Sequence, residues 1–391
     1  MTDGPPAVSR MTVWHLVTPE FPPLVGGVSE HSRVLAEAAL RRGLDVHVWT
    51  RDGALPLAGV HVHTDPGSFT PSDLGRTAAA LDRFPGPRDI LVQWVPHGFG
   101  YRGMNVRFAR WIAGRAASGD RVEVMVHEPF VDYFGASWTQ PARALVQRYM
   151  TRTALRSARR VWMSIPGWEG RLAPMLGGDS TQLRVLPVPG TIPVDRDPAA
   201  IVEVRRRLLG GGSRLVGYFG TGGSYAEAAL SSTVRQLRAR RNDVAFVCIG
   251  RESEGVAARV GPSLPAEAGS HKPAIAATGA LDLAALSHHV SACDVLVQPY
   301  VDGVSGRRTT TISALEHGIP VATTFGALSE PFWRETEAVA TVPADLPQQL
   351  GDAAGELLSE ERNAAARSAA VSLYAAHFAP EVALEPLFTG Q

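Results

Sequence analysis

Gln298–Thr324 reads QPYVDGVSGRRTTTISALEHGIPVATT, and from this stretch the rest of the chain can be placed. An apolar strand, Asp294–Gln298, leads into a turn that bears glycines and arginines. A short helix over Thr309–His317 follows, Gly318 caps it, and Pro320 introduces a second apolar strand. A strand–turn–helix–strand unit aims the first amides of its helix at whatever fills the turn, and that helix end carries partial positive charge. Arg307 and Arg308 stand there, with the hydroxyls of Ser305, Thr309, Thr310 and Thr311 around them. Two guanidinium groups, several hydroxyls and a helix N-terminus suit a phosphate or diphosphate. From these residues alone, an ordinary strand–helix crossover with a solvated arginine pair reads the same way.

Strand and helix periods alternate along the whole chain, which predicts parallel sheets. The first series of strands runs Thr12–Val17, Asp45–Thr50, Ile90–Val95, Val122–His127, Arg160–Ser164 and Leu183–Pro187. An amphipathic helix, Ser29–Arg42, sits between the first two, with Val34, Leu35, Ala38 and Ala39 on one face. Pro189–Pro198 suits an interdomain linker. Beyond it the strands are Leu215–Phe219, Val244–Gly250, Ala274–Thr278 and Val321–Thr323, besides Asp294–Gln298. Gly261–Pro273 reads as an exposed loop, and Asn363–Gln391 as a largely helical tail broken at Pro380.

A chain of 391 residues has room for two independent cores, and 45% hydrophobic with 19% charged residues describes a globular protein. Zero net charge leaves no global field to draw in nucleic acid or an anionic membrane. No run approaches the ~20 apolar residues of a membrane span. The start lacks a basic segment followed by an apolar one, so the expected location is cytoplasmic. Cys248 and Cys293 both lie in apolar strand contexts and read as buried thiols, with no disulfide framework or metal site suggested.

Four further stretches have the composition of strand-end sites. Pro22–Ser29 places Gly26 and Gly27 between the first strand and its helix, where backbone can approach a ligand, though a tight turn wants the same glycines. Val126-His127-Glu128-Pro129 ends a strand on a histidine, the edge at which α/β folds bind ligands. A lone histidine is more often structural. The companion stretch Val92–Gly100 supplies another strand-end loop, with Trp94 and Phe99 as either acceptor wall or core. Tyr218–Tyr225 is a glycine-rich loop without Walker or G-x-G-x-x-G spacing.

The segment Ser313–Val321, SALEHGIPV, is similar to the signature of glycosyltransferase family 4, in which a small-residue run ends in Gly-x-Pro. The loop at Gly26 and Gly27 and the His127-x-Pro129 segment resemble that family's glycine loop and its histidine motif. The resemblance implies an α/β fold of the GT-B type, two Rossmann-like domains facing each other across a cleft. Residues 1–193 would form the acceptor domain, 194–375 the nucleotide-sugar domain, and 376–391 a helix returning to the first. It implies metal-independent transfer of a sugar, with retention, from a nucleotide-diphosphate sugar to an acceptor of unknown class, in which closure about the linker excludes water. The donor is a co-substrate, and no cofactor or metal is implied. A homodimer stays open.

In that scheme His127, Arg307 and Arg308 are the catalytic residues. Gly26, Gly27, Gly222, Gly223, Arg251, Ser305, Gly306, Thr309, Thr310 and Glu316 hold the donor. Two departures stand out. Aligning Gly318-Ile319-Pro320 with the family's Gly-x-Pro puts Ser305 and Ser313 where the family has two glutamates eight positions apart. Asp302 and Glu316 are the neighbouring carboxylates that would substitute. The arginine and lysine that the family carries near its second glycine loop are missing from Gly220–Ser224, so Arg307 and Arg308 would supply that charge. These departures leave three other readings open: S- or N-glycosyl transfer to a small metabolite, nucleotide-sugar epimerisation, and nucleotide-sugar binding without turnover.

Overall fold

The computed structural model describes residues 12–133, 139–209, 212–261 and 275–389. The chain divides into two compact units, Met1–Leu186 with Leu384–Gln391, and Pro187–Ala383.

The first unit is built on seven parallel strands: β1 Val13–Val17, β2 Asp45–Trp49, β3 His61–His63, β4 Asp89–Trp94, β5 Arg121–Val126, β6 Arg160–Met163 and β7 Leu183–Val185. Their order in the sheet is β3-β2-β1-β4-β5-β6-β7. β4 is buried along its whole length, as a central strand covered on both faces must be. One face packs Trp14, Leu16, Val46 and Val48 under Val34, Leu35 and Ala38 of the Gly27–Arg41 helix. Trp94 and Phe99 are fully buried. The Trp94 indole donates to Thr151 Oγ1 at 3.2 Å, and Phe99 stacks on Phe108 with ring centroids 4.0 Å apart. Both therefore belong to the core.

The second unit carries six parallel strands: β8 Arg214–Phe219, β9 Val244–Ile249, β10 Ala276–Ala277, β11 Val295–Gln298, β12 Val321–Phe325 and β13 Val339–Pro343. Their order is β10-β9-β8-β11-β12-β13. In both sheets the chain starts in the middle, winds to one side, then crosses back, so direction reverses between β1 and β4 and between β8 and β11. Loops at the carboxyl ends of such a switch point splay apart and leave room for a ligand.

β3 and β13 were not expected from the sequence. β3 is three residues long and holds two histidines, too short and polar for a period-two signal. Gly261–Pro273 lies, from residue 262 on, outside the described residues. Cys248 and Cys293 are buried free thiols, and burial pushes both up to about 12. Among the described residues no helix is long and apolar enough to cross a membrane.

The division between units falls after Leu186, where the sequence suggested residue 193. Val188 packs with Ile312, Trp333 and Phe378 of the second unit, and the Gly190 amide donates to the Phe378 carbonyl at 3.1 Å. The same contacts hold the helix Glu360–His377 and the Pro380–Ala383 turn in that unit. Only from Leu384 does the tail join the first, burying Leu384 and Leu387 with Trp14 and Leu16, while Glu385 pairs with Arg42.

One buried carboxylate fastens the second sheet. Asp294, 5% exposed, accepts the Leu215 amide at 2.7 Å and pairs with Arg205 at 2.9 Å. Its carbonyl takes the Asn363 amide at 2.9 Å, which ties β8, β11 and the Glu360–His377 helix together. Asp294→Ala strands the Leu215 amide and removes the carboxylate partner of Arg205, which keeps the Ala292 and Ser213 carbonyls, a loss of about 2 kcal/mol. Urea unfolding of the second unit reads it, and an unchanged midpoint would show Asp294 to be dispensable.

Candidate functional site

Most of the residues singled out in the sequence lie in loops at the carboxyl ends of the strands, and each group is described within its own unit.

In the second unit the turn after β11 runs Pro299–Arg308 into the helix Thr309–Glu316. Gly318 adopts φ +67°. The Ile319 amide reaches the Ala314 carbonyl at 2.8 Å, and the Gly318 amide the Leu315 carbonyl at 3.0 Å. This double closure needs the left-handed conformation that glycine supplies. At the other end Gly303 has φ +87°, and a Cβ there would lie 2.1 Å from the Gly326 amide nitrogen. Only glycine lets these two backbones touch, and the contact shapes the loop ahead of the arginines.

Asp302 holds both guanidinium groups. Arg307 donates to its Oδ2 at 2.6 Å, and Arg308 donates to Oδ1. Asp302 thus fixes both guanidinium groups at the helix N-terminus, and the Glu330 carboxylate lies within electrostatic reach of Arg307 as well. Arg308 also lies over the Tyr300 ring, 4.4 Å from its centroid. The Tyr300 hydroxyl meets Thr310 Oγ1 at 2.8 Å and Thr311 Oγ1 at 2.9 Å. Thr309 is half-buried in the same turn. Ser305 and Ser313 are fully buried, and their hydroxyls have no hydrogen-bond partner among the described residues.

Neither expected carboxylate stands at the loop amides. Asp302 is committed to the arginines. Glu316 is at the far end of its helix, about 10 Å from the first turn, and accepts the Tyr374 hydroxyl at 2.8 Å. The carboxylate that does arrive is Glu330, from the segment after β12. It takes the Gly306 amide on both oxygens, at 3.1 and 3.2 Å, and the Trp333 indole at 2.8 Å. Burial raises its pKa despite these donors. The sequence reading missed it because 24 residues separate it from Gly306.

The second glycine loop does have a cation nearby, which corrects the expectation that it has none. Arg259, on the helix Ser253–Val260, pairs with Glu227 at 2.8 Å. A Cβ on Gly222 would lie 2.5 Å from its Nη2. Glu227 also accepts the Gly223 amide at 3.0 Å. Arg251 is exposed in the turn after β9.

In the first unit Gly26 and Gly27 open the helix beside β1. A Cβ on Gly27 would meet open space, and one on Gly26 only the Glu20 carboxylate at 3.3 Å. His127 follows β5, half-buried rather than sealed in the core. Its Nε2 bonds to Gln93 Oε1, which His31 Nδ1 also reaches at 3.1 Å. With the amide oriented so, both imidazoles donate to one oxygen, and His127 Nδ1 is left as an acceptor. Burial, then the neighbouring His31, holds His127 well below its ordinary pKa. Burial pulls His31 down to about 4. Both rings are therefore neutral near pH 7.

Among the described residues, one group of side chains is close enough to share a metal ion: Asp45, His47 and His61. It lies towards the amino ends of β2 and β3, away from His127 at the carboxyl end of β5.

No protein-family model matches the chain, and no curated protein matches it in sequence. Solved structures do. Sucrose-phosphate synthase from Thermosynechococcus elongatus is 18% identical, with a TM-score of 0.67 over 97% of this chain and 100% of that one. WaaG, a glycosyltransferase involved in lipopolysaccharide biosynthesis, is 15% identical with the same TM-score and coverage. Anabaena HepE, in complex with UDP and glucose, is 13% identical with a TM-score of 0.67 over 96% and 98%. At these identities the likeness shows the fold, which is the GT-B type.

The imidazole cluster has a pH signature. Folded His31 titrates at about 4 and an unfolded histidine near 6.5, so the unfolded chain binds the extra proton as pH falls between these values. The stability held by neutral His31 is complete above pH 6.5 and is lost towards pH 4, up to about 3 kcal/mol. His31→Gln keeps a partner for Gln93 and removes the titration. Urea melts at pH 7 and 4.5 should show the variant losing about 2 kcal/mol less than the parent. Equal losses would mean that His31 is not held neutral.

Proposed function

We propose that the chain is a glycosyltransferase that moves a sugar from a nucleoside-diphosphate sugar to an acceptor. The observation that carries this reading is the Arg307–Arg308 pair, gathered by Asp302 at a helix N-terminus and at the switch point of the second sheet. The fold supports it, since the similar structures are glycosyltransferases and one holds UDP.

The diphosphate lies against Arg307 and Arg308, with Thr309 and Thr310 offering hydroxyls. As the bond from the anomeric carbon to the phosphate breaks, charge grows on the departing diphosphate. Arginines already fixed by Asp302 meet that charge without reorganising, and a preorganised donor of this kind is worth on the order of 3 kcal/mol. Glu330 holds the Gly306 amide and repels phosphate there, so we assign it to a donor hydroxyl, at the place where the resemblance puts the first missing glutamate. The glycine loop with Arg259 and the turn at Arg251 border the nucleotide. On the first unit Gly26 and Gly27 leave room for the acceptor. Neutral His127 offers Nδ1 as an acceptor to a sugar hydroxyl and cannot supply positive charge. The reaction proceeds with retention and without a metal, as the resemblance implies. The missing glutamates also favour a second reading, transfer to sulfur or nitrogen of a small metabolite.

Calorimetry with UDP and other nucleoside diphosphates tests the placement. Arg307→Ala and Arg308→Ala should each weaken binding tenfold or more, the loss of a charge-assisted contact of roughly 1.5–3 kcal/mol. Binding untouched by both changes would put the diphosphate elsewhere. His127→Ala should lower turnover far more than nucleotide affinity. An equal fall in both would remove His127 from the sugar.

A further inference from the structure

The first sheet carries a face of histidines that the proposed reaction does not use. Strand residues two apart share a face, so Asp45, His47 and Trp49 of β2 point one way. The register sets His15 of β1 opposite His47, and His61 and His63 of β3 opposite His47 and Trp49. The result is a row of imidazoles ending at an edge strand. His47 is buried, Asp45 half-buried and His61 exposed.

We propose that Asp45 Oδ1, His47 Nε2 and His61 Nε2 bind a divalent transition-metal ion of the zinc type, which clips the edge strand β3 to β2. The three donor atoms lie within 4.8 Å of one another. Both imidazole nitrogens stand 3.4 Å from Asp45 Oδ1. Two ligands each about 2.0–2.1 Å from a tetrahedral zinc are themselves roughly 3.4 Å apart, so two of the three edges have the required length. His47 Nε2 is buried and, apart from Asp45, faces no hydrogen-bond partner among the described residues. His47 Nδ1 lies 2.8 Å from His63 Nε2. When Nδ1 is the donor there, His47 Nε2 presents its lone pair to the ion, the outer-shell arrangement that orients metal-binding histidines. His61 is stacked on His47, with ring centroids 4.6 Å apart, and its exposure leaves the fourth position to water. Two imidazoles and one carboxylate suit zinc, nickel or copper and not the oxygen-seeking magnesium or calcium. β3 pairs with β2 through three residue pairs at the edge of the sheet, where a metal clip would add to the packing of Val62 and the stacking of His63 on Trp49. The competing reading is a metal-free cluster in which the Asp45 carboxylate is shared by the two imidazoles.

The untagged chain, stripped with a chelator and returned to chelator-free buffer, is titrated with Zn2+ by calorimetry and melted with and without excess Zn2+. One equivalent should bind, and the Tm should rise with zinc concentration as expected for a ligand of the folded state. His61→Ala and Asp45→Asn should each weaken binding tenfold or more and reduce the rise accordingly, while melting like the parent without zinc. Should Asp45→Asn fold poorly, His61→Ala decides alone, its ring being exposed. No zinc binding, or binding that survives His61→Ala, overturns the site and leaves a metal-free cluster.

Discussion

Parallel strands cannot be joined by a tight turn, and that constraint organises both units. Each strand must be followed by a crossover, usually a helix, which returns the chain to the same end of the sheet. All strand exits therefore lie along one edge, and the helices that leave them aim their N-termini there. His127, the Gly26–Gly27 loop, Gly222 and the Arg307–Arg308 turn all occupy such exits, although hundreds of residues separate the first from the last. The two reversals of winding, at β1/β4 and at β8/β11, choose which exits have room for a ligand.

Charge is distributed sparingly along the second unit's edge. Arg307 and Arg308 share Asp302, Arg259 is matched by Glu227, and Glu330 is held by the Gly306 amide and the Trp333 indole. Each ion is partnered before any ligand arrives, so the groups keep their positions without a substrate. Asp302 serves both guanidinium groups, and Glu330 lies within electrostatic reach of Arg307. Burial keeps Glu330 less willing to ionise than an ordinary carboxylate, which suits a hydroxyl partner better than a phosphate.

The first unit handles its histidines differently at its two ends. At the strand exits, His31 and His127 converge on a single amide oxygen and stay neutral. Towards the amino ends of β2 and β3, imidazoles stack in register instead, with a carboxylate at the rim. Identical side chains acquire different chemistry because one group meets an amide and the other a carboxylate.

Much of the fold was legible locally. Apolar runs separated by glycine and proline marked β1, β2, β4, β5, β8, β9, β11 and β12, since buried parallel strands must be apolar on both faces. The Gly318 cap and the arginine pair were also readable, because both depend on residues within one turn of helix. What lay out of reach was every partner brought in by crossover. Glu330 reaches Gly306, Arg259 reaches Gly222, Gln93 joins two histidines, and His61 lands beside His47. Sequence spacing carries periodicity, which is a property of the backbone helix or strand. It does not carry the register between strands or which residues a crossover brings together, and those are settled only when each core packs.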